Sequence, residues 1–206
     1  MEYLDIYDEQ GNFLGKEERS IVHRDALWHK TIHCWLYDKN GNAFFQIRKD
    51  EGTLYTTASG HLQAGESLEE GFRREIEEEI GISIDSHDAV FVEMVPFVMD
   101  REKKDGTLFR DRAFAHVYVD LYEGNYDDFE LDPNEVSGIV LVNANEALNL
   151  FQEEKGSING LVLFLDHGRI CQEKREILFS DFLVNAHETA YSKYGKVLEK
   201  IVELTK

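Results

Sequence analysis

The sequence predicts a mixed α+β fold, and three observations support this prediction. Several segments are rich in β-branched and aromatic residues and are bounded by turn residues, which is typical of strands. The segment from Ser67 to Ile80 has an apolar residue at every fourth position from Leu68 onward, which predicts an amphipathic helix with one face toward the core. A second helical pattern occupies the end of the chain. A helix between groups of strands, with more helix at the end, is typical of an α+β domain.

The pattern of residues 1–30 predicts a strand pair, followed by a segment that connects it to the main sheet. Leu4 and Ile6 alternate with polar residues, a turn-prone segment from Glu9 to Asn12 follows, and a second apolar segment then returns. Residues 21–30 are compatible with either a short helix or an irregular segment.

The clearest hairpin signal lies between Thr31 and Arg48. An Asn-Gly dipeptide at positions 40–41 separates two apolar runs there, which is the strongest short-range signal for a β-hairpin. Residues 54–59 are β-prone and lead into a loop that begins at Gly60.

The helix that follows has recognisable ends. Ser67 and Glu70 form the S-x-x-E pattern of a capping box, in which each side chain bonds to the backbone of the other residue. Gly81 is expected to end the helix, because glycine readily adopts the left-handed conformation found at helix C-termini.

After this helix the pattern returns to strands. The next strand is expected to begin at Ile82 and Ile84, and Pro96 places a later strand at a sheet edge or a bulge. The predicted strands cover Val90–Met99, Leu108–Tyr122 and Val136–Val142, with a charged turn at Arg101–Gly106 and an acidic loop at Glu123–Asn134.

The last third of the sequence predicts mostly helix. Asn143 or Asn145 is expected to cap a helix that runs through Leu150. Residues 152–160 are expected to form a loop, and the helical period extends from about Glu173 to Leu204.

The composition limits the classes of partner. The 206 residues include 41 acidic and 22 basic side chains, and the net charge is −19. Such a chain is a poor ligand for nucleic-acid polymers or anionic membranes, although it can bind a small anion if metal ions neutralise the charge locally. The sequence contains no apolar run of membrane-spanning length and no signal-peptide pattern at its start. Cys34 and Cys171 are far apart and are expected to be reduced structural thiols in a cytoplasmic protein.

Three carboxylates of the central helix are candidates for a metal site. Glu75, Glu78 and Glu79 have the three- and four-residue offsets that place side chains on one helix face. Like charges at this spacing repel one another, but a hard cation such as Mg²⁺ or Mn²⁺ favours clustered oxygen ligands. The alternative is an acidic face exposed to solvent, which is the commoner role of a charge run.

The residues around these carboxylates resemble a known family motif. The pattern comprises Gly60, Glu66, Arg74-Glu75-Ile76, Glu78-Glu79 and Gly81-Ile82. It matches the Nudix box, G-x5-E-x7-R-E-U-x-E-E-x-G-U with U an aliphatic residue, at every defined position, and a pattern of this length is highly specific. The resemblance covers roughly residues 30–150 and implies a Nudix fold, a mixed β-sheet sandwiched between α-helices. It places the Nudix domain at 31–165, with the strand pair before it and a C-terminal helical extension at 166–206 packed on the same domain.

The resemblance also implies an activity and roles for the box residues. Nudix hydrolases use Mg²⁺, for which Mn²⁺ can substitute, to cleave the diphosphate of a nucleoside diphosphate derivative. The metal ligands would be Glu75, Glu78, Glu79 and the Gly60 carbonyl. Arg74 would hold a carboxylate through a bidentate pair. Glu66 would reach toward Arg74 or a water at the metal, and Gly81 has a structural role. The general base is either Glu135, on a loop before a strand, or Glu75.

Three arginines are candidates for contact with substrate phosphate. Arg48 ends the second hairpin strand, where the family often has a basic residue. Arg110 and Arg112 are expected to share one strand face by the period of two. The alternative for all three is an ordinary surface arginine paired with one of the many acidic residues.

The N-terminal strand pair gives a narrower resemblance, to the isopentenyl-diphosphate-isomerase branch of the Nudix superfamily. His23, His29 and His61 resemble the metal-binding histidines of that branch, although a role as core or surface histidines is favoured for His23 and His29. Ser59 stands where the isomerase requires a cysteine. We therefore expect an isomerase-like architecture with hydrolytic chemistry. A non-catalytic nucleotide-binding domain is a further alternative, and the C-terminal helix leaves room for a homodimer.

Overall fold

The computed structural model describes residues 1–49, 52–84, 88–102, 106, 108–184 and 190–206. Its strands are β1 (Tyr3–Tyr7), β2 (Phe13–Glu18), β3 (Trp28–Tyr37), β4 (Asn42–Arg48), β5 (Leu54–Tyr55), β6 (Ala58–His61), β7 (Val90–Glu102), β8 (Leu108–Leu121), β9 (Val136–Asn143), β10 (Ser157–Asp166) and β11 (Arg169–Leu178). Its helices are α1 (Arg19–Asp25), α2 (Leu68–Ile80), α3 (Ala144–Glu153) and α4 (Ala190–Leu204).

The strands form one mixed sheet in which β3 has the central position. The main path runs β11-β10-β9-β4-β3-β1-β2, and β8 pairs with β3 in parallel while the other pairings are antiparallel. β7 pairs only with β8 among the described strands, so Pro96 lies on a sheet edge as its missing N–H predicts. The predicted N-terminal strand pair is confirmed. Of the two alternatives for residues 21–30, a short helix or an irregular segment, the structure shows the short helix α1.

Helices cover both faces of the sheet. On one face, Phe72 and Ile76 of α2 pack with Ile32 and Leu36 of β3. On the other face, α3 and α4 bury residues such as Tyr194 against Trp35 of β3. This arrangement confirms the predicted α+β Nudix fold, with a mixed sheet between helical layers.

Both ends of α2 agree with the sequence. The Ser67 hydroxyl accepts a hydrogen bond from the Glu70 N–H at 3.2 Å, and the Glu70 carboxylate accepts one from the Ser67 N–H at 2.9 Å. Gly81 has φ +70° and donates its N–H to the Glu77 carbonyl. These caps fix where the helix begins and ends, and therefore the direction in which its carboxylates point.

The sheet opens beside α2. In the described residues the ladder between β3 and β4 consists of the single pair Tyr37–Ala43, after which β6 pairs with β3 and β5 pairs with β4. Buried Thr56 and Thr57 hold the closed end, because their hydroxyls donate to the Cys34 and Phe44 carbonyls. We call this opening, between β3–β6 and β4–β5, the central gap.

The predicted helical period from about Glu173 to Leu204 is wrong at its start, and the predicted helical extension at 166–206 begins with strand instead of helix. β11 pairs with β10 over its full length, and only residues 190–204 form the final helix, residues 185–189 lying outside the described ones. His167 and Gly168, with φ of +47° and +77°, make the tight turn that sets this hairpin. Pairing with β10 thus overrides the helical propensity of the charged segment 172–176.

Two shorter predictions also need correction. Residues 157–160, expected in a loop, belong to β10. Ile82 and Ile84 do not begin a strand, and Ile82 instead packs into the core beneath the end of α2. The predicted turn at Arg101–Gly106 lies partly outside the described residues, since 103–105 are not among them.

Among the helices of the described residues, none combines the length and apolarity needed to cross a membrane.

Candidate active site

The box carboxylates gather where α2 faces β6. Glu75 and Glu79 are buried, with 7% and 6% exposure, while the Glu78 side chain is 58% exposed. The Glu75 carboxylate lies directly over Gly60 of β6, so that a Cβ at position 60 would overlap its oxygens. Glycine at this position is therefore required for the approach of helix and strand.

Arg74 organises the carboxylates from one side. Its guanidinium donates two hydrogen bonds to Glu66, at 2.7 and 2.9 Å, in a bidentate pair. It also donates to Glu75 at 2.7 Å, to Glu78 at 3.0 Å and to the His61 carbonyl at 2.8 Å. One side chain thereby fixes the loop after β6 to the first two carboxylates of the cluster.

Glu79 reaches into the central gap. Its carboxylate accepts a hydrogen bond from the Gln46 amide of β4 at 2.9 Å and another from the backbone N–H of Ser59 in β6. Glu79 thus joins the two sides of the gap. Gln46 is not among the residues predicted from the sequence, although it is a single polar residue within the apolar segment of β4.

Burial makes two of the carboxylates hard to ionise. It raises the pKa of Glu75 to about 7, against the opposing effect of Arg74. Burial, followed by the charges of Glu75 and Glu135, raises the pKa of Glu79 to about 8. Two neighbouring buried carboxylates with raised pKa values are electrostatically unfavourable unless a cation lies between them. Since the atoms available as metal ligands are carboxylate oxygens, Glu75 and Glu79 fit a hard divalent cation such as Mg²⁺.

These pKa values predict that the metal-free protein loses stability between about pH 6.5 and 8 and that the dependence levels off above that range. A glutamate whose pKa is raised from 4.5 to about 7 or 8 by folding stabilises the fold fully below pH 4.5, and this contribution is lost as the pH rises through the folded pKa. The expected loss is about 1–2 kcal/mol, measured as a lower Tm in calorimetry. The histidines with lowered pKa values titrate below this window. Glu79→Gln should flatten the dependence, and an equally steep decline in that variant would contradict the explanation.

The loop that carries Glu135 is attached to the end of α2. The Glu130 N–H donates to the Ile80 carbonyl and the Asp132 N–H donates to the Glu79 carbonyl. Glu135 itself is exposed, and its charge is close enough to contribute to the raised pKa of Glu79. The structure therefore brings Glu135 within electrostatic range of Glu79, while the other candidate base, Glu75, is itself a member of the carboxylate cluster.

The three candidate arginines lie in different surroundings. Arg48 ends β4 next to the central gap, with its guanidinium carbon 5.7 Å from the centre of the Tyr55 ring. Arg112 pairs with Asp100 of β7 at 2.7 Å, and Arg110 lies opposite Asp100 in the β7–β8 ladder. The structure thus places Arg48 at the end of β4 next to Tyr55, while the contacts shown for Arg112 are within the β7–β8 hairpin.

A second cluster of metal-ligating groups lies on the other side of β6. Ligand atoms of His23, His29 and His61 are all within 4.8 Å of one another. Asp111 of β8 joins them, with its Oδ1 3.4 Å from His29 Nε2. Asp111 was missed as a site residue, although its place on the same strand face as Phe109, which stacks on His23, agrees with the period of two.

Hydrogen bonds orient two of these histidines inward. The Nδ1 of His23 lies 2.8 Å from the Arg19 carbonyl, and the Nδ1 of His29 lies 3.1 Å from the Leu27 carbonyl. Donation from each Nδ1 leaves each Nε2 with a lone pair directed into the cluster. His29 Nε2 and Asp111 Oδ1 are buried and have no hydrogen-bond partner among the described residues. Burial lowers the pKa of all three histidines, that of His61 to about 2. The three imidazole rings of the cluster are therefore neutral at pH 7.

The two clusters lie back to back across one strand. Neighbouring residues of a strand point to opposite faces, so Gly60 lies under Glu75 while the His61 side chain projects to the other face. Arg74 connects the two sides through its hydrogen bond to the His61 carbonyl.

Comparisons with known proteins agree with this geometry. A NUDIX domain model matches residues 27–161. The chain is 32% identical over 202 residues to an uncharacterized Nudix hydrolase of Clostridium acetobutylicum, with 94% of this chain and 92% of the relative covered. It is 26% identical over 128 residues to an isopentenyl-diphosphate Δ-isomerase of Serratia proteamaculans, covering 60% of this chain and 68% of that protein.

A solved structure supports the fold. A crystal structure of a Deinococcus radiodurans protein superposes with a TM-score of 0.53 at 21% identity, covering 74% of this chain and 90% of that one. The domain match over more than half of the chain, together with the relative aligned over nearly its full length, shows that the chain belongs to the Nudix hydrolase family.

Proposed function

We propose that this protein is a Mg²⁺-dependent hydrolase that cleaves a diphosphate linkage in a nucleoside diphosphate derivative or a related small diphosphate. Mn²⁺ is the expected substitute for Mg²⁺. The observation that carries the proposal is the group of carboxylates at Glu75, Glu78 and Glu79 near Gly60. Arg74 binds the first two, and Gln46 binds the third. Buried like charges in this arrangement favour a divalent cation, and a diphosphate needs such a cation to be attacked.

The chain's own residues account for the remaining requirements of hydrolysis. A bound Mg²⁺ would neutralise diphosphate charge and orient the attacking water. The water oxygen forms a bond to one phosphorus, the bridging P–O bond breaks, and the bridging oxygen leaves with the electron pair. Glu135 or Glu75 accepts the proton of the water. Arg74 keeps the carboxylates in place, and the hydrogen bonds of Glu79 to Gln46 and Ser59 maintain the central gap.

The experiment is a screen of diphosphates with Mg²⁺ or Mn²⁺, run in water labelled with ¹⁸O. Hydrolysis at the proposed site gives two phosphate-bearing products, one of which carries the label and so identifies the attacked phosphorus. Absence of metal-dependent turnover with every class of small diphosphate would contradict the proposal.

Isoprenoid diphosphate isomerisation is the second candidate function, favoured by the histidine and aspartate cluster. His23, His29, His61 and Asp111 offer three nitrogens and one carboxylate oxygen, a donor set suited to Zn²⁺, Mn²⁺ or Co²⁺. Against it stands Ser59, because a serine hydroxyl is a much weaker acid than the cysteine thiol expected there. An assay for double-bond migration in an isopentenyl diphosphate separates this function from hydrolysis.

We predict that the histidine cluster binds a transition metal whichever reaction the protein catalyses. Co²⁺ titrated into metal-free protein should give visible absorption bands at about one equivalent, and His29→Asn should weaken binding by about 10-fold or more, as expected for the loss of a ligand. His167→Asn, at an exposed turn far along the chain, is the matched control and should bind as the wild type does. Unchanged spectra in the His29 variant would show that the cobalt lies elsewhere.

A further inference from the structure

The loop between β6 and α2 takes the place of a strand beside β1. Among the described residues, the ladder between β1 and β3 consists of the single pair Tyr7–Trp28. Farther along β1, Leu4 pairs with β2 on one side and forms an antiparallel bridge with Gln63 on the other. The N-terminal strand therefore contacts residues 62–67, which we call the box loop.

The box loop closes partly on itself around Glu66. The Glu66 N–H donates to the Gln63 carbonyl at 3.0 Å, and the Gln63 N–H donates to the Glu66 carboxylate at 2.8 Å. The same carboxylate accepts the two hydrogen bonds of Arg74. A displacement of the loop would therefore move the carboxylate that fixes Arg74, and with it the guanidinium that binds Glu75 and Glu78.

The two N–H groups between these residues donate to β1. The Ala64 N–H donates to the Tyr3 carbonyl at 2.8 Å, and the Gly65 N–H donates to the Asp5 carboxylate at 3.0 Å. Asp5 and Gly65 are 60 positions apart in the sequence. Asp5 thus supplies the side-chain acceptor that attaches the box loop to the N-terminal hairpin.

Packing contributes little to the position of this part of the loop. A cavity of about 150 Å³ lies between Asp5 and Lys30 on the strand side and Gln63 and Glu66 on the loop side. Apart from its chain neighbours, no described atom lies within 4 Å of a Cβ placed at Gly65. Since close packing is what usually fixes a segment, this loop depends instead on its hydrogen bonds.

We propose that Asp5 is a positioning residue of the carboxylate site. By accepting the hydrogen bond of Gly65, it fixes the adjacent Glu66 and, through Glu66, the guanidinium of Arg74. The inference rests on the proposed metal-dependent hydrolysis at the carboxylates and extends the machinery of that site to β1. An ionised acceptor makes a stronger hydrogen bond than a neutral one, which suits a loop held by few other contacts.

The test measures Mg²⁺ binding to the metal-free full chain by calorimetry, without substrate. Mg²⁺ is the probe because it prefers oxygen ligands, so the histidine cluster contributes little. Asp5→Ala removes the acceptor and should weaken Mg²⁺ binding by about fivefold or more, the order expected for one lost hydrogen bond to a charged group. Asp5→Asn keeps a side-chain oxygen as acceptor and should stay within about twofold of the wild type. Amide hydrogen exchange at Gly65 should be faster only in the alanine variant.

Asp8→Ala is the matched control within the same hairpin. The Asp8 carboxylate accepts hydrogen bonds from the Gln10 and Asn12 N–H groups of the turn. This variant weakens the hairpin without removing an acceptor of the box loop, so Mg²⁺ binding should remain within about twofold of the wild type.

Three results would overturn the positioning role of Asp5. They are unchanged Mg²⁺ binding in Asp5→Ala, equal weakening in Asp5→Ala and Asp8→Ala, and equal weakening in Asp5→Ala and Asp5→Asn. Because Mg²⁺ binding is measured without turnover, each of these results differs from failure of the proposed function, which shows as absent metal-dependent hydrolysis by the wild type.

Discussion

Replacing Glu78 with glutamine is expected to lower kcat for diphosphate hydrolysis by about two to three orders of magnitude. Glutamine keeps the size of the side chain but loses the negative charge, and a metal-site contribution of several kcal/mol corresponds to this factor. The Glu78 side chain is 58% exposed and its ion pair with Arg74 lies at the surface, so the substitution should barely affect folding. Steady-state kinetics over a range of Mg²⁺ concentrations measures the effect.

Glu77→Gln provides the matched control. Glu77 is the preceding residue of α2, carries the same charge and is exposed, but the three-residue and four-residue offsets of the box exclude it from the carboxylate face. Its kcat should remain within about twofold of the wild-type value, as for surface changes away from a site. Wild-type turnover in Glu78→Gln, or an equal loss in both variants, would refute the assigned metal site.

Gly60→Ala should reduce hydrolysis about 100-fold or more, although it adds only one methyl group. The new Cβ would occupy the position of the Glu75 carboxylate and push it away from the strand. Misplacement of a catalytic group by about 1 Å is enough for a loss of this size. The measurements are kcat and the Mg²⁺ concentration for half-maximal activity, with circular dichroism to verify the fold.

A double variant tests the same contact by compensation. Glu75→Asp withdraws the carboxylate by one methylene, so Gly60→Ala should cost much less in that background than in the wild type. Strictly additive losses would show that the methyl group acts elsewhere than on Glu75.

The box and its helix could be predicted because their interactions are local in sequence. The Ser67 cap, the Gly81 end and the Glu66–Arg74 pair join residues no more than eight positions apart. Fixed spacing on a helix is enough to place such groups on one face. The Nudix fold followed from the same motif.

The rest of the candidate site depends on strand pairing, which local patterns do not determine. His29 of β3 meets His61 because β6 pairs with β3, His23 joins them from α1 although it is 38 positions from His61, and β8 contributes Asp111. Gln46 reaches Glu79 only because β3 and β4 separate to form the central gap. The helical prediction for residues 173–178 fails for the same reason, because these residues of β11 are held by pairing with β10.

The two faces of the short strand β6 can be altered separately when the enzyme is redesigned. Gly60 leaves space for the Glu75 carboxylate on one face, whereas the side chains of Ser59 and His61 project to the opposite face. Glu79 is held by the backbone of Ser59, so the side chain there can change without loss of that hydrogen bond. New reactive groups can therefore be introduced at positions 59 and 61 while the phosphate chemistry is kept, which makes β6 a natural starting point for directed evolution of new reactions on this scaffold.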